Sequence, residues 1–278
     1  MSFLRTATLL GLLTGILLVI GFLWAGIQGM TIFLIIALAL NFFSYWYSDK
    51  IVLAMYRAKP ISKSENPKLH AIVDRVAEEM NIPKPKIYFI NLPVLNAFAT
   101  GRSPKNAAVA VTTGLMKSLD SDEIEGVISH ELSHVKNRDT LTSTIAATVA
   151  GAIAYIAQMA WWGAFGGERR QGGSVILLPL VILAPLAATL IQLAISRTRE
   201  YAADKTGAIT SKKPLALASA LDKISRVAEH YPLRGNAATS HLFIVNPFSG
   251  DALVNLFSTH PPVQERIKRL KDLSKELK

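Results

Sequence analysis

Two histidines in the stretch "SHELSHVKNRD", His130 and His134, sit four residues apart, with Glu131 directly after the first. On a helix that spacing turns both imidazoles to one face, one turn apart, where they can hold a single Zn²⁺. Glu131 lies beside them and can reach a metal-bound water as general base, the HExxH logic of zinc proteases. A catalytic zinc needs a third protein ligand and an open position for water. The chain has no cysteine, so any metal must be held by nitrogen and oxygen.

"SRTREYAADKTGA" supplies candidates. Glu200 and Asp204 are four apart on one helical face. Glu200 can ligate the metal, and Asp204 can accept the N–H of a ligating histidine and so fix its tautomer. Ala202, Ala203 and Ala208 are small enough for close packing on another helix. The plain alternatives are two surface histidines and a charged helix face. The histidines, however, border an apolar stripe of Ile124, Val127, Ile128, Leu132 and Val135.

The elements that must carry these residues are legible nearby. Asp120 and Glu123 have capping-box spacing ahead of the HELSH helix, acids crowd its first turn, and Lys136 and Arg138 close it, where cations suit the helix dipole. "PKLHAIVDRVAEEMNI" has helical apolar spacing through Leu69, Ile72, Val73, Val76 and Met80. "KPKIYFINL" and "NAAVAVTTGL" are β-branched, bounded by Pro, Asn and Gly, and predict strands. The polar part is therefore expected to be α+β and mainly helical.

The remainder is apolar. Half the residues are hydrophobic and the mean hydropathy is +0.31. The excess gathers in blocks of about 20 residues, the length a bilayer requires. Ala7–Ile27 and Met30–Tyr47 carry no charge, and Gln28–Gly29 between them predicts a tight hairpin. Trp46 and its tyrosine neighbours suit a membrane interface. A cleaved signal peptide fits the first block poorly, because the second follows at once without a clear cleavage site. Two further blocks run from about Leu141 to Trp162 and from Ser174 to Ile195.

The expected organisation is thus a transmembrane hairpin (1–47), a first catalytic part (48–140), a second hairpin (141–195) and a second catalytic part (196–278). The two polar segments are separated by an even number of crossings, so they share one side. Lys50, Arg57, Lys59 and Lys63 follow the second block and put that side, with both termini, in the cytoplasm. The net charge of +10 belongs to this bias. The basic residues are scattered without a nucleic-acid motif, so no nucleic-acid partner is expected.

"HELSH", a transmembrane hairpin and then "REYAAD" together resemble the HtpX-type membrane metallopeptidases, relatives of the CAAX prenyl proteases. The resemblance spans essentially the whole chain. It implies one Zn²⁺ per chain held by His130, His134 and Glu200, with Glu131 as general base, in a zincin-like domain at the cytoplasmic face of a bacterial or archaeal inner membrane. It implies endoproteolysis of damaged or misfolded membrane proteins, with the lipid bilayer as the other partner. "NAFATG" resembles the edge strand on which such proteases lay their substrate, through Asn96, Ala97, Phe98 and Ala99. Unpaired edge amides there would bind any sequence by main-chain bonds. "STHPPVQERIKRL" resembles the family's C-terminal motif, in which His260 could donate to the tetrahedral oxyanion. His70, His230 and His241 have no ligand spacing.

Two other functions fit part of this pattern. A CAAX-type processing protease shares the chemistry, but four spans offer less membrane enclosure than the larger relatives have. An inactive scaffold could retain a structural zinc, but it would have no use for Glu131. An intramembrane protease is disfavoured by Asp122, Glu123, Glu125, Lys136 and Arg138 on the HELSH helix, which belongs in water.

Overall fold

The computed structural model describes residues 2–141, 197–230, 243–245 and 261–277. The two later apolar blocks, His241 and His260 lie outside the described residues, apart from Leu141. The chain divides into two compact units, Met1–Tyr47 with Thr142–Ala194, and Ser48–Leu141 with Ile195–Lys278.

Helix α1 (Ser2–Met55), which belongs to the first unit as far as Tyr47, is broken at Ala25 and Gly26. Gly26 has φ 59°, the left-handed region that glycine enters without a Cβ clash. The hairpin therefore turns at Ala25–Gly26 rather than at Gln28–Gly29. Gly29 has a different use. It packs against Gly21, and a Cβ on either would strike the other's carbonyl. Small residues allow this close approach of two apolar helices. Asn41 Nδ2 donates to Thr14 Oγ1 at 2.9 Å across the hairpin, so each polar side chain meets another. Ala25–Tyr47 is long and apolar enough to cross a membrane, while Leu10–Leu23 is apolar but shorter. Of the four spans expected, this is the one that passes the length test among the described residues.

The second unit holds a four-stranded sheet in the order β1 (Lys59–Pro60), β2 (Lys86–Ile90), β4 (Ala107–Thr112), β3 (Ala97–Gly101). β2 and β4 run parallel, and the outer pairs are antiparallel. Every residue of β4 is buried, which suits its run of alanine and valine. Helix α2 (Pro67–Glu79) starts with Asn66 as cap and Pro67 in its first turn, where the missing N–H costs nothing. Helix α3 (Thr113–Ser118) is capped by the Thr112 hydroxyl.

Helix α4 (Ser121–Asn137) is the central element. Its capping box forms as the spacing predicts. Asp120 Oδ1 accepts from the amides of Asp122 and Glu123, and Glu123 Oε2 accepts from the Asp120 amide, all at 2.9 Å. Such a cap stabilises a helix by about 0.5–2 kcal/mol. Arg138, in the left-handed region at φ 60°, ends it. Val127, Ile128 and Leu132 are fully buried and join the main core. Helices α5 (Arg197–Ser211), α6 (Pro214–His230) and α7 (Val263–Glu276) complete the described part of this unit. α4 touches β3, α2, α5 and α6, so whatever it carries is held from several sides.

Candidate metal centre

His130, His134 and Glu200 converge. The Nε2 of His130 lies 3.6 Å from Glu200 Oε2, and the Nε2 of His134 lies 3.4 Å from Glu200 Oε1. One ligand atom from each of the three residues falls within 4.8 Å of the others. Two imidazole nitrogens and a carboxylate oxygen, with no sulfur, form a donor set that fits a catalytic zinc with an open position.

The helices meet closely because Gly207 of α5 lies against α4. A Cβ there would come within 2.8 Å of the His130 amide nitrogen. Ala203 and Ala208 are buried as the packing argument requires, but Ala202 is exposed. The residue that sets the distance is the glycine, which the alanine pattern did not reveal.

Each histidine has a carboxylate behind it. Asp204 Oδ1 is 2.9 Å from His130 Nδ1, which leaves Nε2 turned toward Glu200. Burial would raise the Asp204 carboxyl, but the Arg266 guanidinium and the His130 contact outweigh it and hold it at about 2. Asp139 Oδ2 is 3.5 Å from His134 Nδ1 and also approaches Arg199. Burial would lower His134, yet Asp139, Glu200 and Glu131 carry it up to about 9. The cluster is short of positive charge.

Glu131 is buried, and desolvation pushes its carboxyl above the ordinary range against the pull of His130 and His134. Its Oε2 accepts the Ala99 amide proton at 3.0 Å. That bond shows which way β3 faces. Asn96 O accepts from Thr112 N, so residue 96 points its main chain at β4. By antiparallel alternation Phe98 and Thr100 do likewise, while Ala97, Ala99 and Gly101 turn their amides and carbonyls outward. Of the four residues expected along the edge, Ala97 and Ala99 present main-chain groups outward. Asn96 is a bracket instead, its Oδ1 accepting from the Ile244 amide at 3.1 Å. The Phe98 ring packs on Tyr56.

Arg266 has no ligand or capping spacing in the sequence. It is wholly buried on α7 and forks onto Asp204 through Nε (2.8 Å) and Nη2 (2.7 Å). The sequence did hold a signal. Val263, Arg266, Leu270, Leu273 and Leu277 follow helical spacing, which puts a charge inside an apolar stripe. Leu277 itself is half exposed, so the stripe is buried mainly in its first two turns. His70 and His230 meet the carbonyls of Ile61 and Arg226, away from this cluster.

The profile of peptidase family M48 matches residues 63–274. A protease HtpX homologue of Pyrococcus furiosus is 55% identical over 278 residues, covering 98% of this chain and 96% of that protein. A protease HtpX homologue of Sulfurihydrogenibium sp. is 52% identical over 289 residues, with 99% and 97% covered. The crystal structure of S. mikatae Ste24p shares the fold, with a TM-score of 0.52 at 19% identity and 95% of this chain covered. The chain spans 62% of Ste24p, under two thirds of its length. With HELSH and REYAAD meeting at one cluster, the chain belongs to peptidase family M48, as an HtpX-type metalloprotease.

Proposed function

We propose that the chain is a membrane-bound zinc endopeptidase that cleaves damaged or misfolded membrane proteins at the cytoplasmic face. One Zn²⁺ per chain is held by His130, His134 and Glu200. The observation that carries this reading is the hydrogen bond from the Ala99 amide to Glu131, because it joins the base and the strand edge beside the ligand cluster.

Bound zinc would supply Lewis acidity, polarising the scissile carbonyl and making water easier to deprotonate. The rest is work for side chains. Glu131 takes the proton from the attacking water and returns it to the leaving amine. Ala97 and the carbonyl of Ala99, whose amide is held by Glu131, align an extended peptide by main-chain bonds, which select for unfolded backbone and not for a particular sequence. Asp204 keeps His130 in one tautomer. His260 donates to the developing oxyanion.

Metal analysis of the purified protein, paired with casein cleavage with and without chelator, tests the chemistry. About one zinc per chain and chelator-sensitive cleavage are expected, and metal-free cleavage would reject the assignment. A cysteine at Ser121 should react with a membrane-impermeant thiol reagent from the cytoplasmic side alone. Labelling from the opposite side would reject the orientation.

A further inference from the structure

Arg266 is the largest fully buried side chain among the described residues. Its guanidinium is fully used. Nε and Nη2 take the two oxygens of Asp204, and Nη1 donates to the Ile244 carbonyl at 3.1 Å. The Asp204 oxygen that accepts from Nη2 is also the one 2.9 Å from His130 Nδ1. A carboxylate held by a histidine alone can pivot about its last torsion. A planar fork bonded to both oxygens fixes the carboxylate plane, and with it the direction of the imidazole.

We propose that Arg266 is a positioning residue of the metal centre, acting through Asp204 to aim the Nε2 of His130 at the ion. This rests on the zinc reading above and adds to it a part for helix α7. The line of action runs from α7 through Arg266 to Asp204, 62 residues away in sequence, and on to His130, whose Nε2 also lies 3.3 Å from Arg266 Nη2. The guanidinium also lies 3.6 Å from Glu200 Oε2, so a second ligand is within its reach. A role confined to neutralising a buried carboxylate would be met by any cation of similar length. A positioning role needs the fork.

The test measures zinc affinity by chelator competition, together with the visible spectrum of the Co²⁺-substituted protein. The proteins are the full-length wild type, Arg266→Lys, Arg266→Met, Asp204→Ala and the Arg266→Met/Asp204→Ala double variant. Loss of such an outer partner costs roughly 10–100-fold in metal affinity. Arg266→Met should fall in that range, Arg266→Lys should recover only part of it, and both should shift the Co²⁺ bands as Asp204→Ala does. Adding Arg266→Met to Asp204→Ala should cost less than the sum of the two single losses, because the path through Asp204 is already cut and only the direct approaches to His130 and Glu200 remain. If Arg266→Met does not fold, as judged by circular dichroism of the metal-free protein, Arg266→Lys carries the comparison. Wild-type affinity and an unchanged spectrum in Arg266→Lys would overturn the proposal, as would losses that simply add in the double variant. A wild type that binds no zinc would instead overturn the metal reading itself.

Discussion

The two ends of helix α4 use similar residues to opposite effect. At its start, Asp122, Glu123 and Glu125 face Arg75, Lys213 and Lys223. Lys213 bonds both Asp122 and Glu125 at 2.7 Å, Arg75 takes Glu125, and Lys223 takes Glu123. Asp120 meets backbone amides. Three carboxylates have three cations, and the cations reach partly into water. At its other end Glu131, Asp139, Glu200 and Asp204 face Arg199 and Arg266. Among the described residues, and with both imidazoles counted as neutral, two negative charges are formally left over in a mostly buried site. Buried charge is costly without a partner. The balanced end is therefore a structural clamp, and the unbalanced end is complementary to a divalent cation.

Substitutions can break this contrast. The largest effect should come from Glu131→Gln, which removes the base and leaves the ligands. Peptide turnover should drop by about 10²–10⁴-fold or more, while elemental analysis still finds about one zinc per chain. Glu200→Ala comes next and separates ligand from base. Zinc affinity should fall by more than the roughly 10–100-fold expected for Asp204→Ala, with activity following the metal. Equilibrium dialysis against zinc ranks the two, and retained zinc in Glu200→Ala would place the third ligand elsewhere.

At the balanced end the response should be stability alone. Glu123→Ala removes a buried carboxylate that receives Ser219, Lys223 and the Asp120 amide. It should cost about 1–3 kcal/mol, seen as a lower denaturant midpoint at unchanged zinc content. Lys213→Ala should do least, about 1 kcal/mol or below, since its amine is a third exposed and Arg75 remains on Glu125. A loss of zinc in either variant would show that the two ends are not independent.

What the sequence disclosed follows the same division between local and distant. The capping box, the four-residue spacing of the histidines and that of Glu200 and Asp204 are local, because helical periodicity converts spacing into a shared face. Strands β2 and β4 were legible for a similar reason, β-branched runs closed by turn residues, whereas β3 was expected only from the family resemblance and the two-residue β1 has no such run. Arg266 was not legible as a partner of Asp204, since no local pattern names a contact 62 residues away. Gly207 was hidden too, because one helical glycine looks like a weak spot until the opposing backbone is seen. The hairpin turns three residues earlier than expected, since Gly26 and Gly29 both could turn and only packing decides which one does.

Strand β3 carries one more consequence. An outermost strand with outward amides is the kind of surface through which proteins aggregate, by pairing edge to edge with other chains. Charged residues and prolines commonly blunt such edges, and Ala97–Gly101 contains neither. This edge is guarded by its position. All five residues are buried, Ala99 is engaged by Glu131, and the Thr140 hydroxyl donates to the Gly101 carbonyl at 3.2 Å. The outward margin of β3 is thus kept buried, beside the carboxylate of Glu131.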